Sequence, residues 1–202
     1  MDEIAFGTDG WRATLDVFTD ERVRIVGEAV ARYLEDEGYT DPVIIGYDAR
    51  ETSPGFADSL AEIMAGHGFD VLLPKRDCPT PVIAYAIVDR GLSCALMVTA
   101  SHNPPEYNGV KFIPDDGAPA LPDRTEKIEA NLAEPDLLPE AQPYSGQIVV
   151  TVEAPTQLRL DKVSGELIPG LYAELGYLDA VESVRLTDCE TMTIEQGECY
   201  NI

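Results

Sequence analysis

Short apolar runs alternate along this chain with amphipathic stretches of helical period, and that alternation limits the fold more than any other feature. PVIIGYD (42–48), FDVLLP (69–74) and SCALMVTA (93–100) read as short buried strands, and VKFI (110–113) as a shorter one. Helical stripes separate them. Thr19-Asp20-Glu21 opens a run with Val23, Val26, Val30 and Leu34 on one face, acids in its first turn and Gly38 as a stop. Ser53-Pro54 places a cap before a proline at the first helical position, and the helix that follows carries Phe56, Leu60, Ile63 and Met64 and ends near Gly66 or Gly68. Thr80-Pro81 repeats the device before VIAYAIVDR, which stops at Gly91. A polar helix is expected over 123–132. Strands alternating with helices predict an α/β fold: a three-layer α/β/α domain with a mostly parallel sheet. Ligands of such sheets gather beyond the carboxyl ends of the strands. The Asp48-Ala49-Arg50 turn and the loop after Ala100 both follow strands, so they are expected on one rim.

The texture changes near residue 133. AEPDLLPEAQPYSGQ is rich in proline and acids and reads as a linker. The expected organisation is a domain over 1–135, a linker over 136–147 and an unassigned tail over 148–202. Within the tail QIVVTVEA has strand character and ELIPGLYAELGYLDAV reads as a broken helix. No internal repeat is present.

The charge is lopsided: 37 acidic residues against 14 basic ones, a formal net charge of −23. Such a field repels nucleic acid and acidic membranes, so neither is an expected partner. The acids are spread along the chain and do not form a tail. A whole-surface adaptation to high salt accounts for this, because the Debye length falls to about 3 Å at 1 M and screens the self-repulsion. An ordinary acidic protein is the alternative. No apolar stretch approaches the length of a membrane span, and the acidic N-terminus MDEIAFGTDG does not read as a signal peptide, so a cytoplasmic location is expected. The four cysteines are scattered with no Cys-x-x-Cys pair, and with two histidines in the chain a zinc site is not expected. Cys78 and Cys94 lie in apolar context and read as buried thiols.

The chemistry concentrates in MVTASHNPPEYNGVKFI (97–113). Ser101 follows a strand beside His102 and Asn103, and Lys111 follows a turn expected at Asn108-Gly109. A serine hydroxyl is a poor nucleophile without a base or strong electrostatic help. A Ser-His-Asp hydrolase fails on pattern, since there is no G-x-S-x-G elbow and His102 adjoins Ser101 in the chain. Phosphoryl transfer fits better, because a serine that accepts phosphate needs cations and N–H donors around the moving group. FGTDGWR (6–12) adds a glycine-punctuated backbone able to approach an anion, ending in Arg12. In a chain this acidic, Arg12, Arg50, His102 and Lys111 near these loops are a local exception. His67 reads as a surface residue at a helix end, Trp11 as packing, and Asp115-Asp116 as a turn.

FGTDGWR at 6–12, IIGYDAR at 44–50, PTPVIAYA at 79–86 and TASHNPPEYNGVKF at 99–112, in that order, closely resemble the first domain of the α-D-phosphohexomutases, the phosphoglucomutase, phosphomannomutase and phosphoglucosamine mutase group. The resemblance covers about residues 4–133. It implies an isomerase that moves phosphate between C1 and C6 of a hexose phosphate through a phosphoserine and a bisphosphorylated sugar. Ser101 would be that phosphoserine and, through its phosphate, a ligand of Mg²⁺, with glucose 1,6-bisphosphate as activator. His102, Lys111 and Arg12 would join Ser101 as catalytic residues. Thr8, Asn103, Arg50 and Asp48 would bind substrate or phosphate, the last two bracing the site. The FGTDGWR form resembles archaeal and bacterial members of the phosphoglucomutase/phosphomannomutase group, and the acidity adds the expectation of a halophilic archaeon.

The family's second domain carries an Asp-Gly-Asp-x-Asp metal loop, and no such sequence stands here. The expectation is an incomplete chain: truncated, frame-disrupted, or one piece of a split enzyme whose second chain supplies the missing domains. A non-catalytic phosphosugar-binding or relic domain is the alternative.

Overall fold

A computed structural model describes residues 4–7, 9–132 and 148–151, the last four by their backbone alone. The described residues belong to the first of the two units into which the chain divides, Met1–Val152. Expectations for the linker over 136–147, and for the tail beyond 151, lie outside them. The elements are β1 (Gly10–Thr14), α1 (Asp20–Asp36), β2 (Val43–Tyr47), α2 (Ser53–Gly66), β3 (Val71–Pro74), α3 (Thr80–Arg90), β4 (Cys94–Val98), β5 (Tyr107–Pro114), α4 (Pro122–Leu132) and β6 (Ile148–Thr151).

The six strands form one sheet in the order β1-β5-β4-β2-β3-β6. β2 pairs in parallel with β3 and β4, and β3 with β6. β5 runs antiparallel to both β4 and β1. It must, because the link from β4 to β5 holds no crossover helix, and a parallel return needs a connection of about a dozen residues or more. β1 is not visible in the sequence, where its glycine and arginine read as loop. Its register against β5 sets Gly10 opposite Lys111 and Arg12 opposite Gly109. β6 lies in the stretch assigned to the tail, yet it extends the sheet beyond β3.

The helices start and stop where local chemistry directs. The Thr19 hydroxyl caps α1 by accepting from Arg22 N at 3.4 Å, and Gly91 ends α3 in the left-handed region at φ 63°. Ser53 departs from its expected capping role. It lies inside α2, no side chain caps that helix, and its hydroxyl is engaged elsewhere.

Side chains alternate across the sheet, so each strand serves two cores. Val43, Ile45 and Tyr47 of β2, Leu96 and Val98 of β4, and Val110 and Phe112 of β5 join Val26, Val30 and Leu34 of α1, Leu60 and Met64 of α2, and Ile128 of α4. Trp11 belongs to this core and stacks on Phe18 at 4.7 Å, so it is packing, as expected. Each such aliphatic burial stabilises by about 1.5–3 kcal/mol. Gly46 and Met97 face the other way, toward α3. A Cβ on Gly46 would come within 2.5 Å of Ile83 Cγ1 and 2.8 Å of Met97 Sδ. Helices on both faces make the three layers, and burial from both sides explains why the strands read as continuous apolar runs. Cys78 and Cys94 are buried. No helix among the described residues is long and apolar enough to cross a membrane.

Polar contacts tie α1 to α2. Arg24 bridges Asp20 at 2.8 Å and Glu62 at 2.7 Å. His67, expected at the surface, is instead partly buried between the helices. Its Nε2 lies 2.7 Å from the buried Glu28 and its Nδ1 2.9 Å from Glu35. Burial opposes the charged ring, but the two carboxylates outweigh it and raise its pKa above 6.5. A raised folded-state pKa stabilises fully below the unfolded value near 6.5, and that contribution is lost as pH rises through the folded value. The urea midpoint is therefore expected to fall as pH rises from neutral through the folded pKa. His67→Gln should flatten that dependence, and an unchanged slope in the variant would refute the assignment.

Candidate functional site

β4 ends at Val98, and the chain turns before returning as β5. Ser101 sits in this turn with φ 55°, the sole non-glycine residue at positive φ among those described. That conformation is uncommon for a residue with a Cβ and points to a site the surroundings over-determine. Ser101 N donates to Thr99 Oγ1 at 2.9 Å, and Asn103 N donates to Ala100 O at 3.0 Å. The Ser101 side chain is left facing solvent beside the exposed His102.

Arg50 holds the turn from below. Its Nη2 donates to Ser101 O at 3.2 Å and Asn103 O at 2.7 Å. Its Nη1 donates to Pro104 O at 2.8 Å and Tyr107 O at 3.1 Å. Its Nε donates to Asp48 Oδ2 at 3.1 Å. A guanidinium has five N–H groups, and these contacts engage all five. The family resemblance gives Arg50 two tasks, binding substrate or phosphate and bracing. The contacts it makes are those of the second, since all five donors serve the turn and Asp48.

Asp48 is equally committed. Its Oδ1 accepts from Arg50 N at 3.1 Å and from Ser53 Oγ at 2.7 Å. A carboxylate so placed braces and has no reason to face a phosphate. Ser53 in turn accepts from Asn108 Nδ2 at 3.0 Å, which also donates to Thr52 Oγ1 at 3.0 Å. Asn108 is 0% exposed, and its Oδ1 accepts from Gly109 N at 2.8 Å. A continuous polar network thus runs from the start of α2 to the start of β5. Asn108-Gly109, expected as a turn, lies inside β5. Glycine is needed there because a Cβ would meet Arg12 Cγ and Thr99 O at 2.7 Å each.

One cation, Arg12 of β1, reaches the serine, and a second, Lys111 of β5, is joined to it through Asp9. Arg12 Nη2 lies 3.4 Å from Ser101 Oγ. Lys111 Nζ lies 2.7 Å from Asp9 Oδ2, and Asp9 Oδ1 lies 3.6 Å from Arg12 Nη2. The register puts Arg12 and Lys111 on one face of the sheet, two residues apart along the ladder. Sequence reasoning missed Asp9. Its signal was the acid inside the glycine-rich FGTDG, hidden in a chain with 37 acids. It also missed Asn108 and Thr99 as organisers of the turn. Of the expected site residues, Ser101, Arg12, Lys111, His102, Asn103, Arg50 and Asp48 come to one rim, though His102 only exposes its ring and Asn103 contributes its carbonyl to Arg50. Thr8 lies outside the described residues.

A hard cation such as Mg²⁺ takes about six oxygen ligands. Among the described residues no group of three or more His, Cys, Asp or Glu could hold a metal. Asp9 and Asp48 face cations, so the rim offers Mg²⁺ only what Ser101 carries. The described residues alone do not make that site.

Arg50→Lys replaces five fixed donors with three on a flexible stem. It is expected to lower stability by about 1–3 kcal/mol in urea unfolding. The amides of 101–107 should lose hydrogen-exchange protection first, and equal protection in both proteins would remove the clamp from the account.

The model of the phosphoglucomutase/phosphomannomutase α/β/α domain I matches residues 3–138. A phosphoglucomutase of Staphylococcus aureus (strain MRSA252) is 33% identical over 139 residues, which are 65% of this chain and 25% of that protein. The crystal structure of a protein assigned as a phosphomannomutase from Thermus thermophilus superposes with a TM-score of 0.66 at 33% identity, covering 74% of this chain and 33% of that one. A phosphoglucomutase/phosphomannomutase family protein from Burkholderia thailandensis shares the fold with a TM-score of 0.62 at 24% identity, covering 74% and 33%. The chain spans about a quarter of the length of the curated relatives it matches.

Proposed function

Because the chain belongs to the phosphoglucomutase/phosphomannomutase family through its α/β/α domain I, we propose that it carries the phosphoserine of a mutase that shifts phosphate between C1 and C6 of a hexose phosphate. The observation that carries this reading is Ser101: a solvent-facing hydroxyl on a turn fixed at positive φ, with Arg12 at 3.4 Å and Lys111 on the neighbouring strand.

Phosphorylated Ser101 gives its phosphate to the free C1 or C6 hydroxyl of a hexose phosphate: the sugar O–P bond forms as the Oγ–P bond breaks, and the sugar hydroxyl proton leaves. The bisphosphorylated sugar then reorients. Ser101 Oγ attacks the other phosphate, its Oγ–P bond forming as that sugar O–P bond breaks, and the freed sugar oxygen takes up a proton. Arg12 offsets charge on the transferring group, Lys111 and His102 serve proton transfer at its edge, and the clamped turn keeps Oγ in place. Cations held in position at a protein surface contribute more than the same charges free in bulk water. Mg²⁺ would neutralise charge on the Ser101 phosphate, with its further ligands outside the described residues. In this reading the other catalytic domains come from another part of a longer protein or from a second chain. A second reading, a domain that accepts phosphate but does not turn over sugar, is favoured by the shortage of metal ligands among the described residues.

The test uses the purified chain in high salt with Mg²⁺ and glucose 1,6-bisphosphate. Intact-mass analysis is expected to show one phosphate on the wild type and none on Ser101→Ala. Conversion of glucose 1-phosphate to glucose 6-phosphate asks whether this chain suffices. Turnover supports the mutase reading for this chain, phosphoserine without turnover leaves either a carrier domain or a mutase domain that needs its other domains, and a folded chain that takes no phosphate overturns both.

The acidity is part of the proposal: a cytoplasmic protein of a high-salt cell, where screening permits a net charge of −23. The thermal midpoint is expected to rise steadily from dilute buffer to 2 M KCl, whereas a midpoint flat above about 0.2 M, where the Debye length is already below 8 Å, would contradict it.

A further inference from the structure

We infer that Asp9 is an internal anion that stands in for phosphate between Arg12 and Lys111, holding the two cations together, with Arg12 at Ser101, when no phosphate is there and competing with phosphate when it arrives. This rests on the phosphoryl-transfer reading of the rim.

The geometry carries it. Asp9 is 8% exposed, and its two oxygens face different cations: Oδ2 lies 2.7 Å from Lys111 Nζ and Oδ1 3.6 Å from Arg12 Nη2. The same Arg12 nitrogen is 3.4 Å from Ser101 Oγ. One guanidinium nitrogen is therefore shared between a fixed carboxylate and the hydroxyl that would carry the phosphate. The backbone leaves Asp9 little freedom. Its carbonyl accepts from Phe112 N at 3.0 Å, and Gly7 N donates to Gly10 O at 2.8 Å. Gly10 must be glycine, since a Cβ there would sit 2.2 Å from Val110 O. The carboxylate is thus clamped onto β5 next to the lysine it binds.

Two cations converging on one carboxylate would repel each other and splay into solvent without that anion between them. In a phosphoryl-transfer cycle the anion comes and goes. A permanent carboxylate keeps the cations placed through the phosphate-free state, at the cost of weaker ground-state attraction for the incoming phosphate. Asp9 acts through Arg12 and Lys111 and is a positioning residue.

The test is inorganic phosphate binding, by isothermal titration at a salt concentration where thermal unfolding shows every protein folded. Asp9→Asn keeps the shape and removes the charge. It is expected to bind phosphate about fivefold or more tightly than the wild type, the scale of one nearby unit charge at the protein surface. Asp9→Glu should restore wild-type affinity, and Asp9→Ser serves if the asparagine variant fails to fold. The rate of Ser101 phosphorylation by glucose 1,6-bisphosphate should fall about tenfold in Asp9→Asn despite the tighter binding, because the cations lose their alignment. A merely structural role would weaken both. Equal or weaker phosphate binding in Asp9→Asn, or no phosphate binding by any variant, overturns the inference. If affinity rises as expected but Ser101 takes no phosphate even in the wild type, it is the phosphoryl-transfer reading that fails.

Discussion

Four N–H groups of one side chain converge on the turn that carries Ser101, and the fifth goes to Asp48. Four peptide carbonyls, from Ser101, Asn103, Pro104 and Tyr107, point into the space Arg50 fills. Without that guanidinium they would need water, and the turn would keep only its local bonds, such as Ser101 N to Thr99 Oγ1 and Asn103 N to Ala100 O. With it, a serine can be held at positive φ, where a residue with a Cβ is seldom found. The clamp is anchored in turn. Asp48 holds Arg50, Ser53 holds Asp48, and the buried Asn108 ties Ser53 to β5. The network therefore spans the ends of several strands and the first turn of α2, and it is rigid because each member has its partners satisfied.

Electrostatics on the rim run against the rest of the molecule. A chain of net charge −23 repels sugar phosphates at a distance. Close in, Arg12 and Lys111 present positive charge on one face of β1 and β5, while Arg50 is neutralised by carbonyl dipoles and Asp48. Asp9 sits between the first two and keeps them from repelling each other apart. The helix pair α1–α2 shows the same sharing of cations elsewhere, with Arg24 between Asp20 and Glu62 and His67 between Glu28 and Glu35. In an acidic chain such cations serve more than one carboxylate or carbonyl.

Much of the fold can be read in advance. The strands at Val43–Tyr47, Val71–Pro74 and Cys94–Val98 announce themselves as apolar runs because both faces are buried. The helix stops at Gly38 and Gly91 follow from their positive φ, which glycine adopts without penalty. β1 escapes because an edge strand of Gly-Trp-Arg-Ala-Thr has no alternation to reveal it. Asn108-Gly109 misleads because the same dipeptide that makes a tight turn also suits a strand position where a buried amide is needed and a Cβ cannot fit. Ser53 misleads for a related reason: a serine before a proline looks like a cap whatever its hydroxyl does in space.

The layered α/β architecture and the candidate loop at Ser101 are written in the string of residues. Periodicity, turn chemistry and four ordered motifs are local properties that survive without knowledge of distant contacts. The roles of the residues come from the assembled fold. Arg50 and Arg12 look alike in a string, but one lies under the turn with every donor engaged and the other lies over it beside Ser101 Oγ. Asp9 and Lys111 are far apart in the chain, and no local rule pairs them. Their charges meet because β1 runs antiparallel to β5 in one register, and that register is fixed by the packing of Trp11, Val110 and Phe112 on the opposite face of the sheet.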